Sequence, residues 1–152
     1  MTRYATPGLL LLLLTAACGT LPGRITGEPP QATIDGIQRS GNTLTVEVGL
    51  RNMNDQPIKL SEATIELFLS DTLLARARQA TTMEIAARGR DLLRVHASAD
   101  RAGLAQLDAI TGQGSAAAWR MILTLTDRSG QQQIIENQGW LHPVPGQPDN
   151  YR

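Results

Sequence analysis

Alternating hydrophobic and polar residues characterise the chain from residue 32 to residue 141. In the stretch NTLTVEVGLRNMN, every second residue is aliphatic: Leu44, Val46, Val48 and Leu50. A period of two is typical of a strand with one buried face. Turn sequences such as SGN (40–42), NDQP (54–57), ARGRD (87–91) and RSG (128–130) separate it from similar stretches. The further predicted strands are ATIDGIQR, IKLSEATIELFLSD, TLLARARQA, TTMEIAA, DLLRVHAS, AAAWRMILTLTD and QQQIIENQGWL.

The periodicity changes once, at Ser98. The stretch SADRAGLAQLDAI places apolar residues at helical spacings: Ala102, Leu104, Ala105, Leu107 and Ile110. We therefore predict a helix over residues 99–110, with Ser98 as its N-cap and the glycines at 112–114 ending it. About eight strands and one helix, without a strand–helix–strand repeat, predict a mainly β protein, a small antiparallel β-sandwich with one α-helix.

The first residues precede this pattern and differ from it. Residues 8–17 form an apolar block of ten, which is too short to cross a bilayer, since a spanning helix needs about 20 apolar residues. A basic residue before the block and small residues after it are typical of a secretory signal. The sequence LTAAC (14–18) resembles the bacterial lipobox, with threonine where leucine is commonest. The resemblance implies cleavage before Cys18, a diacylglycerol group on its thiol, and acylation of the new amino group.

Cys18 has two other interpretations. It is the single cysteine of the chain, so no partner exists for an intramolecular disulfide. A free thiol after an ordinary signal peptide is poorly tolerated in an oxidising compartment. The residue after Cys18 is Gly19 and not aspartate, which in Gram-negative lipoproteins favours the outer membrane. We therefore expect a lipid-anchored protein of the bacterial envelope, facing the periplasm at the outer membrane.

These boundaries divide the chain into four segments. They are a lipoprotein signal peptide (1–17), a proline-containing lipidated tether (18–31), the β-sandwich domain (32–141) and a loosely ordered, flexible C-terminal tail (142–152). Removal of residues 1–17 from the 152 leaves 135 residues, enough for one domain with a sizeable core. Because Arg3 leaves with the signal, 13 basic residues face 14 acidic ones, a balance that does not indicate a nucleic-acid partner.

Composition and motifs also restrict the chemistry. Aromatic residues make up 3% of the chain, which disfavours a sugar-binding platform, and two histidines with one cysteine are too few for a zinc site. His96 is an isolated strand histidine, a type that is usually solvated or hydrogen-bonded. The chain has no Gly-x-Ser-x-Gly elbow, phosphate loop or metal-ligand spacing. We therefore predict no enzymatic activity, no metal and no cofactor.

Residues 30–97 resemble the late embryogenesis abundant (LEA) type 2 family, also called the WHy domain. A strand ending in VGLRNMNDQPIKL matches the family's Asn-Pro-Asn-like motif with Asn52, Asn54 and Pro57, although Met53 stands where proline is frequent. ATIELFLSDTLLARA and TTMEIAARGRDLLRVHA match the following strands, with SD (70–71) where Asn-Gly is usual. The resemblance implies an immunoglobulin/fibronectin III-like sandwich, a role in stress protection, and neither enzymatic activity nor a cofactor.

Two groups of polar residues are candidate sites, and each has a structural alternative. Asn52 and Asn54, with Pro57, either shape a bend through hydrogen bonds to the backbone or form a patch that contacts a partner. Between residues 76 and 101, six arginines outnumber three carboxylates. The arginines either cover solvated strands or bind an anionic envelope surface, for which guanidinium groups are suited. The candidate contacts are Arg76, Arg78, Arg88, Arg90 and Arg94.

Two function classes follow from these observations. The first is a non-enzymatic, lipid-anchored stress protectant (desiccation or osmotic) that binds or shields proteins or membrane. The second is an envelope assembly or adaptor lipoprotein that docks a specific protein partner through a sheet edge or the arginines. A hydrolase whose site matches no known motif is the third hypothesis.

Overall fold

A computed structural model describes residues 27–152, so the predicted signal peptide, Cys18 and most of the predicted tether lie outside the described residues. The described part of the chain forms nine strands and one helix. In chain order these are β1 (Gln31–Ser40), β2 (Thr43–Arg51), β3 (Ile58–Leu69), β4 (Thr72–Ala80), β5 (Glu84–Ile85), β6 (Arg90–Ala99), α1 (Arg101–Gln113), β7 (Ala117–Asp127), β8 (Gln132–Leu141) and β9 (Asn150–Tyr151).

The strands form one antiparallel sheet that curls on itself. Its order is β8-β7-β3-β4-β6-β2-β1-β9, with β5 pairing separately with β3. The halves β8-β7-β3-β4 and β6-β2-β1-β9 are joined through a ladder of two residue pairs between β4 and β6. Because the ladder between the halves is so short, the sheet bends there and the two halves enclose one hydrophobic core. The predicted mainly β, sandwich-like fold with one helix is confirmed.

Beyond this ladder, the side chain of Gln79 in β4 continues the link to β6. Its Nε2 donates to the Arg94 carbonyl at 3.0 Å, and its Oε1 accepts from the His96 amide at 3.3 Å. One side-chain amide thus substitutes for a backbone pair where the strands diverge.

The inner face of the sheet carries the aliphatic residues that the alternation predicts. The four predicted positions of β2 are buried: Leu44, Val46, Val48 and Leu50. Alternate residues of the other strands are buried with them: Ile65, Leu67, Leu69, Leu93, Val95, Trp119, Met121, Leu123 and Leu125. Each fully buried aliphatic side chain contributes about 1.5–3 kcal/mol relative to exposure, so this core is the main source of stability.

Helix α1 covers one end of the curled sheet, and both of its ends differ from the prediction. Asp100, not Ser98, is the N-cap: its carboxylate accepts a hydrogen bond of 2.8 Å from the Ala102 amide. Ser98 still belongs to the β6 ladder, so the first residue free to cap is two positions later. The helix also continues to Gln113, where Gly114 in the left-handed conformation (φ +60°) ends it.

The C-terminal residues 142–152, predicted to be loosely ordered, fold back onto the sheet. His142 and Arg152 exchange two backbone hydrogen bonds of 2.8 and 3.0 Å, and Tyr151 in β9 pairs with Ile37 in β1. Tyr151 is 3% exposed. The prediction of a flexible tail is therefore wrong, because burial of an aromatic ring orders a segment that its prolines alone would leave open. These residues connect the end of β8 to β1 and close the sheet into a ring.

Candidate functional site

The asparagine cluster, Asn52 and Asn54, lies at the end of the sheet opposite α1. Asn52 follows the last residue of β2 and is fully buried. Its Nδ2 donates to the backbone carbonyls of Gln56 at 2.7 Å and Ala86 at 3.1 Å, and its Oδ1 accepts from the Asn54 amide at 2.9 Å. One amide side chain therefore holds together the loop after β2 and the loop between β5 and β6.

Asn54 extends this network to the entry of the chain into the domain. Its Oδ1 accepts from the Glu28 backbone amide at 2.8 Å, and its Nδ2 donates to the Glu28 carbonyl at 2.8 Å. Its own carbonyl accepts from the Arg88 amide at 3.0 Å. Gly27 lies so close to the Asn54 side chain that any Cβ at this position would overlap it.

The hydrogen bonds favour the structural interpretation of the cluster. Asn52 has both donor and acceptor capacity committed inside the protein, and Asn54 uses both of its polar atoms on nearby groups. Pro57 is exposed and directly precedes β3, a position that needs no amide for the strand ladder. The motif that carries the family resemblance thus fixes a bend and the point where the N-terminal segment joins the sheet.

Each of the five candidate arginines forms an ion pair with a carboxylate. On β4, Arg76 pairs with Glu66 and Arg78 with Glu62, both at 2.8 Å. Hydrogen bonding to Glu62 raises the pKa of Arg78 above its usual value. The carboxylates come from β3, which precedes the arginine-rich stretch. The local excess of arginine in the sequence is therefore balanced in space on this strand.

The arginines of β6 are balanced in the same way. Arg94 pairs with Glu47 of β2 at 2.8 Å, and Arg90 pairs with Asp35 of β1. The Arg90–Asp35 pair crosses over Gly49 of β2, where a Cβ would lie only 2.8 Å from the Asp35 Oδ2 atom. Glycine at this position lets side chains from β1 and β6 meet above the strand between them.

Arg88 lies in the loop beside the asparagine cluster and pairs with Asp55 at 2.7 Å. This hydrogen bond lowers the pKa of Asp55 and raises that of Arg88. Together with the pairs on β4 and β6, it leaves none of the five candidates without a carboxylate. The geometry favours solvated, cross-strand ion pairs over a cationic surface.

The remaining chemistry candidates are isolated. His96 contacts Thr45 through its Nδ1 atom at 3.1 Å on the outer face of β6 and β2. In residues 27–152 no three His, Cys, Asp or Glu side chains are grouped in a way that could hold a metal ion. No buried polar side-chain atom of this part of the chain lacks a hydrogen bond. Helix α1 and the rest of this region provide no helical segment long and apolar enough to cross a membrane.

Two exposed apolar residues of β8 are not among the predicted site residues. Ile134 and Trp140 on β8 are 64% and 66% exposed and lie on the outer face of the sheet. Alternation assigns these positions to the outer face, but large apolar side chains are unusual there. The sequence signal that could have identified them is an isoleucine and a tryptophan at outward positions of a predicted strand.

Neither the family models nor the curated proteins include one that matches this chain. Among solved structures, a solution structure from Arabidopsis thaliana is similar with a TM-score of 0.58 and 11% identity, covering 81% of this chain and 87% of its own. A crystal structure of a protein from Archaeoglobus fulgidus has a TM-score of 0.46 and 11% identity, over 77% of this chain and 97% of its own. A solution structure of a candidate late embryogenesis abundant (LEA) protein has a TM-score of 0.44 and 14% identity, over 79% and 74%. The Arabidopsis structure supports a shared fold.

Proposed function

We propose that the protein is a non-enzymatic, lipid-anchored envelope protein whose LEA type 2-like domain protects against desiccation or osmotic stress. It would act by binding or shielding proteins or membrane. The asparagine cluster carries this proposal: its residues match the family motif, and they join the N-terminal segment to the loops at one end of the sandwich. Under the proposal, a lipid on Cys18 holds the domain at the outer membrane through residues 18–26.

The outer surface supports a role under water loss. Cross-strand pairs such as Arg76–Glu66 and Arg94–Glu47 connect neighbouring strands at 2.8 Å. Two charges about 4 Å apart attract by about 1 kcal/mol in water and by about 4 kcal/mol at an effective dielectric constant of 20. Drying lowers the dielectric constant around exposed pairs, so their attraction increases while the hydrophobic driving force decreases. A domain built this way can keep its fold when water is removed.

Two drying experiments test the protective role. A desiccation-sensitive enzyme is dried with the full chain or with an equal mass of an unrelated globular protein, and its activity is measured after rehydration. The proposal expects more recovered activity with this protein than with the control. Equal recovery, together with unchanged survival of a deletion strain after drying and osmotic challenge, would refute stress protection.

The anchor has its own test. Radiolabelled palmitate should label the wild-type protein in cells, and Cys18→Ser should abolish labelling and membrane fractionation while leaving the circular dichroism spectrum of the domain unchanged. A Cys18→Ser protein that still fractionates with the membrane after cleavage would contradict lipid anchoring.

A second function is favoured by the exposed Ile134 and Trp140. Apolar residues on an outer sheet face are suited to docking a protein, as in an adaptor of envelope assembly. A pulldown from detergent-solubilised envelopes distinguishes the two proposals: one stoichiometric envelope protein, lost with Trp140→Ser, supports the adaptor. Protection of the test enzyme without such a partner supports the protectant.

A further inference from the structure

The outer surface of β3, β7 and β8 differs from the rest of the sheet. We define the β7–β8 face as Phe68, Arg120, Ile122, Ile134, Glu136 and Trp140, which the strand registers place on one side. Ile134 and Trp140 are the large hydrophobic residues that are exposed within residues 27–152. The apolar residues of this face lie on both sides of two charged ones.

The two charges of this face have no ion pair within the described residues. Arg120 lies over the Phe68 ring, 4.2 Å from its centroid, and pairs in register with Gln138. Glu136 pairs in register with Ile122, two residues after Arg120 on the same strand, so the opposite charges are diagonal neighbours. The arginines of β4 and β6 each contact a carboxylate, whereas Arg120 of β7 and Arg51 at the end of β2 contact none within the described residues.

We propose that the β7–β8 face binds the same face of a second copy of this chain. A two-fold axis in the plane of the face, crossing midway between Arg120 and Glu136, places each Arg120 opposite Glu136 of the other copy. Ile122 then lies near the axis, between the two reciprocal ion pairs. The face is complementary to itself, which a symmetric interface requires.

Other occupants fit this face less well. A peptide adding to the edge of β8 would meet β1, because Asn137 Nδ2 donates to the Ala32 carbonyl at 2.6 Å. An anionic lipid surface would meet Glu136 as well as Arg120, so the unpaired charges of the face give it no net attraction. In a second copy, Glu136 faces Arg120, and Glu66 is already paired with Arg76 within its own chain.

The size of the face corresponds to that of a weak dimer interface. Three strands about 4.8 Å apart, with about ten residues rising about 3.3 Å each, cover on the order of 500 Å². Specific interfaces begin at about 500 Å² per partner. The apolar residues supply the contact area, and the charges set the orientation.

Charge exchange tests the proposal. We would measure sedimentation equilibrium of the full chain with Cys18→Ser, which has neither a lipid nor a thiol for disulfide dimers, at about 100 μM, where weak interfaces are populated. The wild-type surface should form dimers. Arg120→Glu and Glu136→Arg should each raise the dissociation constant by more than about tenfold, because each places like charges opposite one another. Mixing the two variants should restore association, since every contact then pairs opposite charges.

The controls separate this interface from a folding defect. Arg51→Glu makes the same charge change at an exposed arginine near the end of β2, away from the face, and should dimerise like the wild type. Trp140→Ser should weaken the dimer while keeping the thermal melting temperature. The proposal would be overturned if the protein with the unaltered β7–β8 face is a monomer. It would also be overturned if the single charge variants self-associate as well as that protein.

Discussion

The two ends of the curled sheet are closed by different chemistry. At one end, α1 packs Leu104, Leu107 and Ile110 against the core. At the other, Asn52 is fully buried and its amide binds loop carbonyls and the Asn54 amide. The helix stabilises its end of the sheet by burying apolar area, an interaction that is not directional. The asparagine stabilises the other end by hydrogen bonds, which require a donor or an acceptor at each position.

This difference determines how a substitution at each end would lower the stability of the domain. Removing apolar volume from α1 leaves a cavity, whose cost grows with its size. Altering the Asn52 amide leaves backbone carbonyls of two loops without a donor, although the volume hardly changes. Four substitutions distinguish these modes, from the largest expected effect to the smallest.

Leu107→Ala should produce the largest loss. Leu107 is fully buried under the helix, and a leucine-to-alanine change in a core costs about 2–5 kcal/mol. Urea denaturation followed by circular dichroism measures the free energy of unfolding. Gln106→Ala, at an exposed position of the same helix, is the matched control and should change it little. A loss below about 1 kcal/mol for Leu107→Ala would show that the helix contributes little to the core.

Asn52→Asp tests the opposite end with almost no change in volume. A carboxylate has no N–H to donate to the carbonyls of Gln56 and Ala86, so we expect a loss of about 1–3 kcal/mol or more. Asn42→Asp in the exposed β1–β2 turn is the matched control. Hydrogen exchange should accelerate at the Asn54 and Glu28 amides first. Unchanged protection at both amides would contradict the role of Asn52 as a connector.

Tyr151→Phe measures the link between α1 and the C-terminal strand. The Tyr151 hydroxyl lies 2.9 Å from the Thr111 hydroxyl, and loss of one such hydrogen bond costs about 0.5–1.5 kcal/mol. A double-mutant cycle with Thr111→Val isolates the pair from the hydrogen bond that Thr111 also donates to Leu107. Fully additive losses would mean that the two hydroxyls do not interact.

The Asp55–Arg88 pair should give the smallest effect, and one that depends on pH. Hydrogen bonding to Arg88 lowers the pKa of Asp55 in the folded protein. Its stabilising contribution is therefore present above the unfolded pKa and lost as the pH falls through the folded value. Melting temperatures of the wild type and Asp55→Asn should differ slightly at neutral pH and converge in acid. A difference that grows on acidification would contradict this sign.

Much of this architecture could be predicted from the sequence because strand burial is a local pattern. The alternation at Leu44–Leu50 identified the inner face of β2 directly. The ion pairs could not be predicted, since Arg94 meets Glu47 across 47 positions of the sequence. The buried role of Asn52 likewise depends on carbonyls more than thirty residues away, although its bend was foreseen.

The predictions of the helix cap and of the flexible tail were wrong for related reasons. Ser98 has the right side chain for a cap, but its backbone belongs to the ladder with Thr43. The tail contains a strand of two residues among prolines, too short for any periodicity to reveal. In both cases, pairing with a distant strand decides the conformation, and no local pattern records that pairing.

The closing contacts of the tail also cover part of a strand edge. The backbone bonds between His142 and Arg152, and the pairing of Tyr151 with Ile37, involve the final two positions of this sequence. Of the ten residues of β1, Ile37 and Gln38 pair with β9, so loss of this pairing would open the edge of the strand there. Unpaired strand edges recruit other strands, and the C-terminal segment therefore also limits edge-to-edge aggregation.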